Sequence, residues 1–404
     1  MAPFLALGAA LRNAGHAVTL LADPGISTLA DSAGLGFAPL ALTIPPFNPD
    51  SLPELFLEAA PEPLSLAALY SNLAPIFTPL LDAVIAHLPN HDALVASRLF
   101  PFLKNAARAA GRPCVTLALD PDGLPFSQTA PAGSPPPVWL PRLLHAAYNR
   151  SAWRAQELQL DQIVNRFAGP VLSANHLGRF HGFFGQPADH VLVAVSPVLF
   201  PPPGPPLIPC IYTDFLQASS PSGTTNNAPL ATIIALARGG SPVPLLVLPR
   251  LSAEAEAPLL RRILAAWPRD FPLVVHAPHS PLTPNPQRPE ILFPGPVPAD
   301  ELFTHATLVI HDGRYATTAA ALYAGRAQIL IPPARHPSYW VAALPRLGVA
   351  RVLNPAAWPE QLFSAVDSAL RDVPAVRRVA ECASTLRAEN GPARAVAELE
   401  KLSA

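Results

Sequence analysis

Val309-Ile-His-Asp-Gly-Arg-Tyr-Ala-Thr-Thr-Ala-Ala-Ala-Leu-Tyr-Ala-Gly325 reads as a buried strand, a turn and a helix. Residues 308–311 are apolar with a terminal histidine, which suits a strand covered on both faces. Asp312 to Tyr315 carry the turn chemistry, and the alanine-rich run after it has high helix propensity. The helix is expected to begin near Ala316 and to end before Gly325. Its N-terminus offers free N–H groups and a partial positive charge, both suited to a diphosphate. Thr317 and Thr318 are placed to cap the helix, and also to donate to phosphate. His311 could lie beside such phosphates.

Outward from this segment the same rhythm recurs. Strands are expected at 245–248, 273–276 and 329–331, with helices at 253–267, 316–324, 339–347, 359–370 and 376–389. On the N-terminal side, strands are expected at 18–22, 93–96, 114–119 and 191–195. Helices are expected there at 3–15, 26–33, 64–88, 101–110 and 140–167. Alternating strands and helices imply parallel sheets covered by helices. Between the two series lie the runs Phe-Pro-Pro-Pro-Gly-Pro-Pro and Ser-Ser-Pro-Ser-Gly-Thr-Thr-Asn-Asn-Ala-Pro, which are linker compositions. The expected division is therefore 1–200, a proline-rich linker region 201–240, and 241–404. A length of 404 residues fits two domains at about 100–200 residues each.

Composition narrows the function. Acidic residues number 28 and basic residues 27, so no global charge points to nucleic acid as a partner. Only 14% of residues are charged, which leaves room for peripheral membrane contact. No stretch reads as a membrane-spanning helix or a signal peptide. Cys114, Cys210 and Cys382 are widely spaced and lack metal-ligand spacing, so no metal site is expected. They read as core residues of a reducing compartment, which predicts a cytoplasmic protein. Phosphate-loop and nucleophile-elbow signatures do not occur.

Three segments resemble the GT-B glycosyltransferases, in the bacterial branch that includes sterol, macrolide and lipid glucosyltransferases. They are Pro3-Phe-Leu-Ala-Leu-Gly-Ala-Ala-Leu-Arg-Asn-Ala-Gly-His-Ala-Val-Thr-Leu20 with Gly34-Leu-Gly-Phe-Ala-Pro-Leu40, then Val297-Pro-Ala-Asp-Glu-Leu-Phe303, then the segment 309–325 continued to Trp340 and Val349. The resemblance implies an α/β protein of GT-B fold, with two Rossmann-like domains facing a cleft. It makes 1–200 the acceptor domain and 241–404 the nucleotide-sugar-binding domain. It implies a UDP- or dTDP-sugar donor held without a metal or resident cofactor, and an apolar acceptor that the stretch 64–88 could help to line. Donor-binding residues carried over are His311, Gly313, Arg314, Thr317, Thr318 and His336. The activity implied is hexose transfer to a hydroxyl of a lipid-like or secondary-metabolite acceptor. The alternative is a non-catalytic GT-B homologue that binds a ligand or supports a partner enzyme.

Departures from the family pattern are as informative. Arg314 and Ala316 stand where glycine is expected; Arg314 either pairs with phosphate through its planar fork or fills the pocket. His336-Pro337 replaces the acidic-glutamine pair that grips sugar hydroxyls, and Leu248-Pro-Arg-Leu-Ser252 replaces a glycine-serine strand end. The chain starts at Met1 inside the region where relatives have a first strand and a base-bearing turn, so both are expected to be missing, either through an incorrectly assigned start or through genuine loss. No catalytic residue is assigned: His16 reads as structural, Ser97-Arg98 lacks a carboxylate, and Asp120-Pro-Asp-Gly123 reads first as a turn. These departures together imply slow or absent turnover.

Overall fold

A computed structural model describes residues 2–40, 66–131, 134–185, 190–217, 228–248, 253–277, 287–294, 297, 299–332, 339–354 and 358–403. They divide into two compact units: those up to 217 together with 390–403, and those from 228 to 389.

The first unit runs α1 (Ala2–Asn13), β1 (Thr19–Ala22), α2 (Ser27–Ser32), β2 (Gly36–Pro39), α3 (Leu66–His87), β3 (Leu94–Ser97), α4 (Leu103–Ala109), β4 (Cys114–Ala118), α5 (His145–Ala174), β5 (His190–Val193) and β6 (Cys210–Tyr212). All of its strand pairs are parallel, in two sheets: β1-β2, and β3-β4-β5-β6. Each of β1 and β3 therefore has one edge without a strand partner among the described residues. Helix α3 carries Pro75 and Pro79 within it, and buries Tyr70, Leu73, Phe77, Leu81 and Val84 against Phe102 of the α4 entry and Val164 and Ala168 of α5. These side chains form the core of the unit.

The second unit runs α6 (Ala228–Arg238), β7 (Pro244–Val247), α7 (Ala253–Ala266), β8 (Leu273–His276), β9 (Ile291–Leu292), α8 (Ala299–His305), β10 (Leu308–His311), α9 (Tyr315–Tyr323), β11 (Ala327–Leu330), α10 (Tyr339–Leu347), β12 (Ala350–Val352), α11 (Trp358–Leu370) and α12 (Val373–Ala388). Its sheet is parallel with the order β12-β11-β10-β7-β8-β9. Counted within the unit this is 6-5-4-1-2-3, the Rossmann order. Successive residues alternate between two cores, as strand geometry requires. Leu246, Val275, Ile310 and Ile329 pack with Leu260, Ile263, Leu362 and Val366 of α7 and α11. Leu245, Val274 and Val309 pack on the other face with Leu302, Phe303 and Ala321 of α8 and α9.

The stretch 201–240 is more than linker. β6 pairs with β5 in the first sheet, and α6 buries Leu230 and Ile233 in the second unit. A three-residue strand among prolines has no local signature, and its partner β5 defines it. The end of the chain returns to the first unit, where α13 (Gly391–Ser403) packs on α1. His16 after α1 lies 3.0 Å from the Glu400 carboxylate, in keeping with a structural role. Cys114 and Cys382 are buried and Cys210 is half-buried, and all three are free. No helix among the described residues is long and apolar enough to cross a membrane.

Candidate functional site

Ligands of Rossmann sheets lie beyond the C-terminal strand ends, where the strand order reverses. In the second unit that point falls between β7 and β10. β10 ends at His311, and the chain turns through Asp312, Gly313 and Arg314 into α9. Gly313 has φ of +80°, a conformation that costs a residue with a Cβ about 1–2 kcal/mol. Arg314 is extended at φ −70° and ψ 149°, and Ala316 is in the first turn of the helix. Neither position needs glycine for its dihedral angles, so the two substitutions are accommodated without backbone strain.

Asp312 organises the turn. Its Oδ1 accepts the Arg314 N–H at 3.1 Å, and its Oδ2 lies 2.6 Å from the Arg314 Nε. The carboxylate is buried, while the arginine side chain is 59% exposed. Arg314 thus fills no buried pocket. It is held by its Nε at the N-cap of α9, with most of its side chain exposed. Arg314, at the N-cap, makes no side-chain capping bond to that helix. Its leading N–H groups have no intrahelical acceptor, and they carry the positive end of the helix dipole.

The two threonines separate. Thr317 is half-buried; Thr318 is buried completely, and its hydroxyl has no partner. The helix begins at Tyr315, one residue earlier than expected, which places Arg314 at the N-cap and moves both threonines past the capping position. The expected capping by Thr317 or Thr318 does not occur.

His311 is also buried. Its Nδ1 accepts the Gly313 N–H at 3.1 Å, so the proton sits on Nε2, which donates to Oε1 of Gln328 at 2.8 Å. Burial holds the imidazole below its ordinary pKa, against the opposing pull of the Asp312 charge and the Gln328 bond. Both ring nitrogens are used inside the protein, so the histidine shapes the turn. Gln328 and Asp312 are the residues that pattern reading missed. Their signals were a lone amide in an apolar strand and an aspartate two residues before an arginine.

The remaining candidates are dispersed. His336 and Pro337 lie outside the described residues, as do His279 and residues 249–252. His276 is a buried strand end. Trp153 and Trp267 pack and donate their indole N–H groups to Thr129 and Phe271 carbonyls, and Trp340 is buried. Among the described residues, no cluster of histidine, cysteine and carboxylate side chains could hold a metal ion.

In the first unit, Asp120 follows β4. Its Oδ1 accepts the Asp122 N–H at 3.0 Å, which is the expected turn, and lies 3.7 Å from the Arg98 guanidinium. Arg98 also donates to the Asp122 carbonyl. Burial raises the Asp120 pKa, Arg98 lowers it, and the Asp122 charge adds to the rise. The side chain is still 27% exposed.

No protein-family model matches the sequence. The O-mycaminosyltylonolide 6-deoxyallosyltransferase of Streptomyces fradiae is 26% identical, over 99% of this chain and 94% of that protein. Among solved structures, the glycosyltransferase of kitacinnamycin superimposes with a TM-score of 0.67 at 18% identity, over 99% of this chain and 95% of that one. Glycosyltransferase VinC, solved with dTDP, gives 0.63 at 16% identity, over 99% and 96%. The strand order and these likenesses agree on the fold: the chain has the GT-B fold of these glycosyltransferases.

Proposed function

We propose that the protein transfers a hexose from a dTDP- or UDP-sugar to a hydroxyl of a secondary-metabolite or lipid-like acceptor, by direct displacement with inversion. The carrying observation is the start of α9 with the Arg314 guanidinium held beside it by Asp312. An exposed arginine and the positive end of a helix dipole suit a diphosphate leaving group, whose charge grows as the glycosidic bond breaks. The 6-deoxyallosyltransferase relative and the dTDP complex of VinC support the donor class. Asp120 supplies the proton acceptor on the first unit. It is accessible, and its raised pKa improves a carboxylate as a base.

Calorimetric titration with dTDP and UDP, with turnover of a nucleotide-sugar panel on macrolide-like acceptors, tests the proposal. Micromolar binding weakened about tenfold by Arg314→Ala is expected, as for a charge-assisted contact. Absence of binding by both nucleotides would reject the donor site. The second reading, a non-catalytic homologue, is favoured by His311, which offers no free nitrogen to a donor. Binding without turnover of any donor would select it.

A further inference from the structure

We infer that residues 138–144 form a docking loop for an anionic lipid surface. The loop precedes α5 and contains Val138, Trp139, Leu143 and Leu144, all among the exposed large hydrophobics. Trp139 is 80% exposed and Leu143 is 82% exposed. Four large apolar side chains rarely project together from one short segment unless something covers them.

The loop is braced as a turn followed by a 3-10 helix over Arg142–Leu144. Leu140 N–H donates to the Pro137 carbonyl at 2.9 Å, Leu144 N–H to the Pro141 carbonyl at 2.9 Å, and His145 Nε2 lies 3.0 Å from the Leu140 carbonyl. Four prolines at 135, 136, 137 and 141 stiffen it further. In α5, Asn149 and Trp153 donate to the Ser127 and Thr129 carbonyls and anchor the preceding strand of chain. The apolar side chains are therefore presented at no further cost in ordering.

Charge selects the occupant. No acidic residue occurs between Asp122 and Glu157, whereas Arg142, His145, Arg150 and Arg154 do. Arg154 pairs with Glu157 at 2.5 Å. Arg142 and Arg150 are exposed, and neither has a partner among the described residues. Arg150 follows Leu143 by two turns or fewer, roughly 10 Å along the helix axis. Tryptophan and leucine beside unpaired arginines, with acids excluded, fit the boundary between headgroups and acyl chains of an anionic bilayer. A second copy of the chain would bring the same positive charge and meet repulsion. The surface is independent of the transferase reading and stands or falls without it.

Flotation of the whole chain with vesicles tests it, using phosphatidylcholine alone and an equimolar mixture with phosphatidylglycerol. Binding to the mixture is expected, with little to the neutral vesicles. Arg142→Gln and Arg150→Gln should each weaken it about fivefold at low salt, the usual effect of one basic residue near an anionic surface. Trp139→Ser with Leu143→Ser should abolish it, and both side chains are exposed, so their loss removes no packing. A blue shift of tryptophan fluorescence on mixed vesicles should be absent in Trp139→Phe. Failure to float with the mixture, or flotation unchanged in the serine double variant, overturns the inference. So does a solution dimer that the double variant dissociates while vesicles bind neither form.

Discussion

His311 and Gln328 are locked across neighbouring strands β10 and β11, with the imidazole Nε2 2.8 Å from the amide Oε1. Because Nδ1 accepts the Gly313 N–H, one neutral tautomer serves both bonds. Replacing His311 with alanine removes both bonds, the one from the Gly313 N–H and the one to the buried Gln328 amide oxygen. The expected cost is about 2–4 kcal/mol, read from the urea midpoint at constant slope.

The same histidine makes stability depend on pH. Burial depresses its folded pKa, while the unfolded side chain titrates near its ordinary value of about 6.5. The unfolded state therefore takes the proton first as pH falls. His311 contributes its full share above about pH 6.5 and loses it as pH drops through the folded pKa. Urea unfolding at pH 7.5 and at mildly acid pH should show a smaller drop in His311→Gln than in the parent chain. An equal drop would assign the acid sensitivity to other histidines.

Thr317 and Thr318 should respond in opposite ways. The Thr318 hydroxyl is buried without a partner, so Thr318→Val removes an unpaid desolvation cost and should stabilise the chain by about 1 kcal/mol. Diphosphate affinity should not change in that variant. Thr317 is half-buried in the first helical turn, and Thr317→Val should weaken dTDP binding a few-fold. Calorimetry of both single variants separates them, and equal losses would place both hydroxyls in the site.

What the sequence made legible in this region was local. The strand 308–311, the turn glycine and the helix that follows are each encoded by contiguous residues, and the structure has them within one residue of the expected bounds. The long-range partners were not legible. Gln328 lies 17 positions from His311, and only the register of β10 on β11 brings them together. Arg314 looked like a lost glycine, because the dihedral angles that show glycine unnecessary there belong to the turn as Asp312 holds it. Likewise α6 was hidden beside a serine- and asparagine-rich run whose composition suggested only a connection.

Gly391 begins α13 against the chain at Phe215. A Cβ there would overlap the Phe215 carbonyl, a backbone atom that cannot swing aside. Nearby, Arg394 reaches the buried Asp214 carboxylate at 3.4 Å, and Asp214 itself holds φ of +67°. Gly391→Ala should cost about 2 kcal/mol or more through strain at this junction. Arg394→Gln should cost less, because its side chain is half exposed and its ion pair is screened. Thermal unfolding of the two variants ranks them, and an unperturbed Gly391→Ala chain would show that the helix start relaxes freely.

Asp120 offers the sharpest test of the chemistry. It sits at the C-terminal end of β4, held by its own turn and by Arg98 from the end of β3, with its side chain partly exposed. The groups that face it are Arg98, which favours the ionised carboxylate, and Asp122, which opposes it. Burial outweighs Arg98, so its pKa is raised, and the carboxylate ionises only as pH climbs through that elevated value. Turnover should therefore show an acidic limb displaced upward from that of an ordinary carboxylate. Asp120→Asn keeps the size of the side chain and an oxygen for the Asp122 N–H, so the turn should survive. If Asp120 takes the acceptor proton, this variant should lose about 10²–10⁴ in kcat and its acidic limb, with dTDP affinity unchanged. Arg98→Gln should push the limb further upward, because it removes the one charge that favours ionisation. A purely structural Asp120 predicts something different: activity retained within a few-fold, no movement of the limb, and a loss confined to stability.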